Sequence, residues 1–109
     1  GEQKQGSGFV LKSARAHLYC VFKQKFLCIL DKIIFLDKVN LITPSQKAQT
    51  TEAVYFFESQ EISSVQPTTI YNRSYSVLGR DGFLGKLAEN ELGLIAKNIS
   101  GTWQVGKSK

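Results

Sequence analysis

His17 is the single histidine of the chain, and it limits the acid–base chemistry available. It stands beside Leu18 at the edge of an apolar block. A general base also needs a proton within reach and correct alignment, so a satisfied structural histidine is the expected role. The carboxylates Asp31, Asp37, Glu52, Glu58, Glu61, Asp81, Glu89 and Glu91 are scattered. Glu89 and Glu91 read as a solvated pair beside a turn. There is no G-x-S-x-G, no Walker loop and no H-E-x-x-H. Gly79, Gly82 and Gly85 do not have the G-x-G-x-x-G spacing. Catalytic residues are therefore expected to be none, and the chain reads as a non-enzyme.

Cys20 and Cys28 make neither a disulfide framework nor a zinc site. A lone histidine offers no partner for a two-histidine metal motif, so no metal and no cofactor is expected. A hairpin over residues 18–30 centred on Gln24 places the two cysteines opposite each other and permits a bond. Their apolar surroundings favour two buried free thiols.

Cations are the commoner material. The formal net charge is +5, and the excess lies in the first half, with Lys23, Lys25 and Lys32 set among Tyr19, Phe22 and Phe26. Such a balance suits an anionic partner: a phospholipid surface, an acidic protein or a nucleic acid. The same charge also keeps a small domain soluble. Basic residues between aromatics are what single-stranded nucleic acid asks for, although Phe22 and Phe26 read first as core and the lysines as turn residues. The RNA-recognition signature is absent. Two N-x-S sequons, Asn72-Arg73-Ser74 and Asn98-Ile99-Ser100, matter only in a secreted protein.

The stretch Phe83-Leu84-Gly85-Lys86-Leu87-Ala88-Glu89-Asn90-Glu91-Leu92-Gly93 resembles the tubby family's F/Y-[V/I]-G-K-[L/V]-R-S-N-x-x-G. Gly85, Lys86, Asn90 and Gly93 match; Ala88 stands at the arginine position and Glu89 at the serine position. The resemblance covers only these residues. It implies a β-barrel around a central helix, and a glycine turn presenting Lys86 to a phosphoinositide head group. Arg80, in Gly79-Arg80-Asp81-Gly82 just upstream, is the cation available to replace the missing arginine.

These residues must be held by a single domain, since 109 residues leave little room for two. Hydrophobic content of 42% is enough for a core without staples. The expected organisation is a disordered leader over 1–8, one β-rich domain over 9–106 and a frayed tail over 107–109. Apolar blocks Leu18–Phe22, Phe26–Leu30, Ile33–Leu36 and Val39–Ile42 alternate with the polar breaks Lys23-Gln24-Lys25, Asp31-Lys32 and Asp37-Lys38. As a meander, each block is a strand and each break a turn. The seven-residue repeat of His17, Gln24, Asp31 and Lys38 is also the polar stripe of a helix, so one helix within 14–38 is the alternative. No block reaches the roughly 20 apolar residues of a bilayer-spanning helix.

Residues 43–51 read as a loop and Ala53–Glu58 as a strand with aromatics on both faces. Gln66-Pro67 breaks the sheet, and Gly79–Gly82 is a hairpin turn. Phe83–Leu87 and Leu92–Lys97 read as two strands. Ile99–Gly101 turns into a last strand, where Trp103 covers a barrel end. The expected fold is mainly β, a small antiparallel barrel or sandwich of about six to eight short strands. The expected function is non-catalytic docking to an anionic membrane surface through a phosphoinositide head group. Lys86 and Arg80 lie nearest the ligand, with Lys23, Lys25 and Lys32 as a supporting field. The alternatives are a protein-interaction module, using an open strand edge or the Tyr55–Phe57 face, and single-stranded nucleic-acid binding. Compartment is read as intracellular, at a peripheral membrane, without a residue that decides it.

Overall fold

The computed structural model describes residues 9–88 and 91–103, the last three by backbone alone. The expected leader, tail and Trp103 contact lie outside the described residues, as do Glu89 and Asn90. Among the described residues there are ten strands and no helix. They are β1 (Val10–Lys12), β2 (Arg15–Gln24), β3 (Leu27–Ile42), β4 (Lys47–Phe56), β5 (Glu61–Ser64), β6 (Thr68–Tyr71), β7 (Tyr75–Gly79), β8 (Phe83–Ala88), β9 (Glu91–Ala96) and β10 (Ile99–Trp103).

Every pairing is antiparallel, and β4 is the hub. It pairs β3 on one side. On the other it pairs β6 near its start and β5 near its end. From there β6–β7–β10 and β5–β8–β9 curl round into a nearly closed barrel. The two halves are clasped where the β7–β8 turn meets the β9–β10 turn: Arg80 and Asp81 donate to the carbonyls of Asn98 and Lys97, and Lys97 donates to Gly82. Gly82 makes the turn possible with φ 100°, a conformation L side chains avoid.

Period-two alternation sends Val39 and Leu41 of β3, Ala48 and Thr50 of β4, and Phe83 and Gly85 of β8 inward. Val39, Leu41, Ala48 and Phe83 form the hydrophobic core with Ala53, Ile62, Ile70, Val77 and Leu92. Thr50 and Ser64 are buried hydroxyls 3.3 Å apart. Thr50 also donates to the Pro67 carbonyl at 3.2 Å and Ser64 accepts from the Gln66 amide at 3.0 Å. This network fixes the Pro67 bend that moves the chain from β5 to β6 along one side of β4.

The helix alternative for residues 14–38 is overturned, and so is the four-block meander. Only the first polar break is a turn, with Lys25-Phe26 joining β2 to β3. The blocks from Leu27 to Ile42 are one 16-residue strand interrupted by bulges. At the first, Tyr19 faces Lys32 while Cys20 faces Leu30, so Asp31 has no partner on β2; its carbonyl accepts from the Phe57 amide at 3.1 Å. At the second, Asp37 and Lys38 adopt φ of 67° and 56°. Asp37 is held there because its carbonyl accepts from the Ala14 amide and its carboxylate from Arg15 Nε at 2.6 Å. A polar pair in an apolar run thus bends a strand here without reversing it. The loop read over 43–51 is shorter: only 43–46 lie between strands, and Lys47-Ala48-Gln49-Thr50-Thr51 opens β4. The last turn falls at Lys97-Asn98, before Ile99.

A candidate docking arm

The molecule measures 61 × 29 × 23 Å, and the long axis has a local cause. Strand β4 stops pairing with β3 at Lys32, opposite Phe56. Beyond that row, residues 20–31 form a ribbon of β2 and β3 alone, stiffened by a disulfide between Cys20 and Cys28. The expectation of two free buried thiols is therefore overturned. Cys20 is exposed and Cys28 half-buried.

A two-stranded ribbon has no second layer to cover it, so its apolar side chains face solvent on both faces. Pairing register puts Leu18, Phe22, Leu30 and the disulfide on one face, and Tyr19, Val21 and Ile29 on the other. Phe26 at the tip is 94% exposed, Phe22 69% and Leu18 61%. Phe22 and Phe26, expected in the core, are thus the most accessible aromatics described. The core reading failed because apolar type reports burial only where another layer exists to supply it. His17 is also exposed, on β2.

Cations accompany this surface. Lys23 stands one residue before the end of β2 at Gln24, Lys25 forms the turn with Phe26, and the Lys32 ammonium lies 5.5 Å from the Tyr19 ring centroid at the arm's base. From there an outward row runs across the barrel wall through directly opposed residues: Tyr19, Lys32, Phe56, Glu61 and Lys86. Lys32 and Lys86 share this face at three strand spacings, about 14 Å.

The other predicted cations are placed differently. Gly85 and Lys86 lie within β8, so there is no glycine turn at this point. Gly85 faces inward, where an added Cβ would sit 2.9 Å from Ile62 and Leu94 side-chain atoms. The glycine answers a packing need between β5 and β9. Lys86 Nζ lies 3.4 Å from Glu61 Oε2, and Arg80 donates to Ser100 Oγ at 3.0 Å. Arg80 sits in the turn before Phe83, and Phe83 is about 10 Å of strand from Lys86. The structure therefore places Lys23 and Lys25 at the arm tip and Lys32 at its base, with Lys86 on the same face as Lys32 about 14 Å across the barrel wall. It does not bring Arg80 together with them.

Among the described residues no cluster of three His, Cys, Asp or Glu side chains forms a metal site, and no helix is long and apolar enough to cross a membrane. Sequence reasoning missed Leu18, Val21, Ile29 and Leu30 as functional candidates, and assigned Phe22 and Phe26 to the core after weighing them as nucleic-acid contacts. The available signal was an apolar hairpin with lysines at its turn and two cysteines in its strands. Comparison with known proteins adds nothing to the geometry: no family model, no curated protein and no solved structure matches the chain.

Proposed function

We propose that the protein is a non-catalytic binding domain that docks on an anionic membrane surface through the β2–β3 arm. The observation that carries this reading is the exposure of Phe22 and Phe26, on either side of Lys23 and Lys25, at the tip of a braced ribbon. Exposed apolar surface of this extent marks an interaction site. Aromatic and aliphatic side chains enter the boundary between head groups and acyl chains while neighbouring lysines stay at the phosphates. Burying each phenylalanine contributes roughly 1.5–3 kcal/mol, against about 1 kcal/mol per lysine near an anionic surface. Insertion supplies the affinity and the lysines select the sign of the lipid.

Two rival partners fit less well. Protein interfaces are depleted of lysine at their centres, yet Lys23 and Lys25 stand between the two most exposed aromatics, Phe22 and Phe26. Single-stranded nucleic acid uses aromatic stacking platforms, whereas Leu18, Val21, Ile29 and Leu30 are aliphatic. A second reading keeps one specific support. Among the described residues β2 pairs only β3, leaving an open edge of ten residues to which another strand can add.

Vesicle sedimentation tests the proposal. Phosphatidylcholine vesicles containing phosphatidylserine should pull the protein down, and pure phosphatidylcholine should do so weakly. Phe22→Ser with Phe26→Ser should abolish binding, Lys23→Glu with Lys25→Glu should reduce it, and Lys86→Glu should leave it nearly unchanged. A gain on adding phosphoinositide at constant surface charge would assign head-group selectivity. Binding indifferent to the phenylalanine pair overturns the proposal, and salt-insensitive self-association in its place supports the open edge.

A further inference from the structure

At the far end of β3 from the arm tip, some 50 Å of strand away, two loops line an open cleft of about 600 Å³. They are the β3–β4 loop, residues 43–46, and the β6–β7 loop, residues 72–74. The volume is that of a small-molecule site, and the chemistry of the lining is one-sided. Lys47 and Arg73 both line it, no Asp or Glu does, and the hydroxyls of Ser45 and Ser74 share the wall. Among the described residues neither the Arg73 guanidinium nor the Lys47 ammonium has an ion-pair or hydrogen-bond partner.

The walls are fixed from behind. Thr43 Oγ1 is buried, accepts the Gln46 amide at 3.0 Å and donates to the Gln46 carbonyl. Asn72 Oδ1 accepts the amides of Ser74 and Tyr75 at 2.7 and 3.1 Å. The Gln46 side-chain amide donates to the Tyr75 hydroxyl, joining the two loops. Tyr71 stands directly opposite Lys47 across the β4–β6 pair and adds a ring to the cation's side.

From this we infer that the cleft is a second binding site, distinct from the arm, for a small polar molecule carrying a phosphate-like oxyanion. Arg73 provides the planar donor fork that matches such an oxyanion, Lys47 the second charge, and Ser45 and Ser74 neutral donors. The loops are already braced, so little ordering entropy opposes binding.

Amide shift titration of the whole chain tests this at fixed ionic strength. Inorganic phosphate should give saturable shifts confined to residues 43–47 and 71–75, with sodium chloride giving none. Glucose 6-phosphate binding more tightly than phosphate assigns a sugar-borne anion; equal or weaker binding assigns the free ion. Glucose alone should not bind. Arg73→Gln with Lys47→Gln should weaken binding at least tenfold, while Lys97→Gln, an exposed cation elsewhere, should not. Unsaturable shifts that chloride reproduces, or unchanged affinity in the double variant, overturn the site.

Discussion

Cys20 and Cys28 are joined diagonally across the arm: Cys20 faces Leu30 and Cys28 faces Phe22, with the Val21–Ile29 pair between them. The bond closes a loop with a sequence separation of 8, which by chain entropy restrains the unfolded ribbon by roughly 2–3 kcal/mol. That restraint acts where packing is weakest, since an isolated two-stranded hairpin is marginal in water. Cys20→Ser with Cys28→Ser should therefore remove amide exchange protection from residues 18–30 and spare β4–β8. Loss of protection across the whole barrel would show that arm and barrel fold as one unit.

The glycines of the second half separate by what surrounds them. At Gly82 an added Cβ would lie 1.8 Å from the Ser64 carbonyl oxygen, and at Gly79 it would lie 2.4 Å from the Gly82 carbonyl oxygen. Both neighbours are backbone, which cannot yield. At Gly85 the obstacles are ends of side chains, and at Gly93 nothing lies within 4 Å. Alanine at 82 or 79 should prevent folding or cost several kcal/mol. At 85 it should cost about 1–3 kcal/mol, and at 93 it should be neutral or stabilise by up to about 1 kcal/mol. Denaturant midpoints of the four variants check the order, and a Gly93→Ala loss equal to that of Gly82→Ala contradicts it.

The same glycines show what could be read from the chain alone. The Gly79–Gly82 turn is legible because Asp81-Gly82 is a local signal, but it is no hairpin: among the described residues β7 pairs β6 and β10, and β8 pairs β5 and β9. Gly85 falls in the strand read over Phe83–Leu87, while the turn that the resemblance implied there does not form, because the glycine's cause is Ile62 and Leu94, residues brought close only by pairing. Val54 and Phe83 sit in strands as their alternation requires. The polar pairs Asp31-Lys32 and Asp37-Lys38 carry no local mark separating a bulge from a reversal; the Arg15 and Phe57 contacts that hold them come from other parts of the sheet. The arm's lysines were named from charge, but the exposure of Phe22 and Phe26 follows from β4 ending at Phe56, a fact no residue near position 22 records.

Thr50 joins three segments through one hydroxyl, bonded to Ser64 and to the Pro67 carbonyl. Thr50→Val keeps the shape and leaves the buried Ser64 hydroxyl and the Pro67 carbonyl short of a partner. A loss of about 1–3 kcal/mol is expected, visible as a lower urea midpoint with an unchanged slope. Thr51→Val, one position along and exposed, should change stability by no more than about 0.5 kcal/mol. Equal effects at both positions would remove the network from the account.

Phe83 is 1% exposed and the largest of the fully buried side chains. Phe83→Ala should cost about 3–5 kcal/mol, a large part of the 5–15 kcal/mol that holds a domain together. Phe26→Ala, at the other extreme of exposure, should leave the midpoint unchanged and improve solubility. A thermal shift at Phe26 matching that at Phe83 would mean the arm tip packs against the barrel.

Tyr19 and Lys32 are direct cross-strand partners at the base of the arm, so the ribbon beyond them can be cut away without stretching the chain. Replacing residues 20–31 by Asn-Gly, the pair preferred in two-residue hairpin turns, joins β2 to β3 at that row. The core residues Val39, Leu41, Ala53, Ile62 and Phe83 all lie outside the excised segment. The shortened protein should keep its β-sheet spectrum and melt within a few degrees of the parent, yet no longer sediment with anionic vesicles. It should still show phosphate-dependent shifts at residues 71–75, because the cleft lies at the other end of β3. A shortened chain that melts normally and still sediments with the vesicles would transfer the docking role to the barrel wall, where Lys32 and Lys86 share a face.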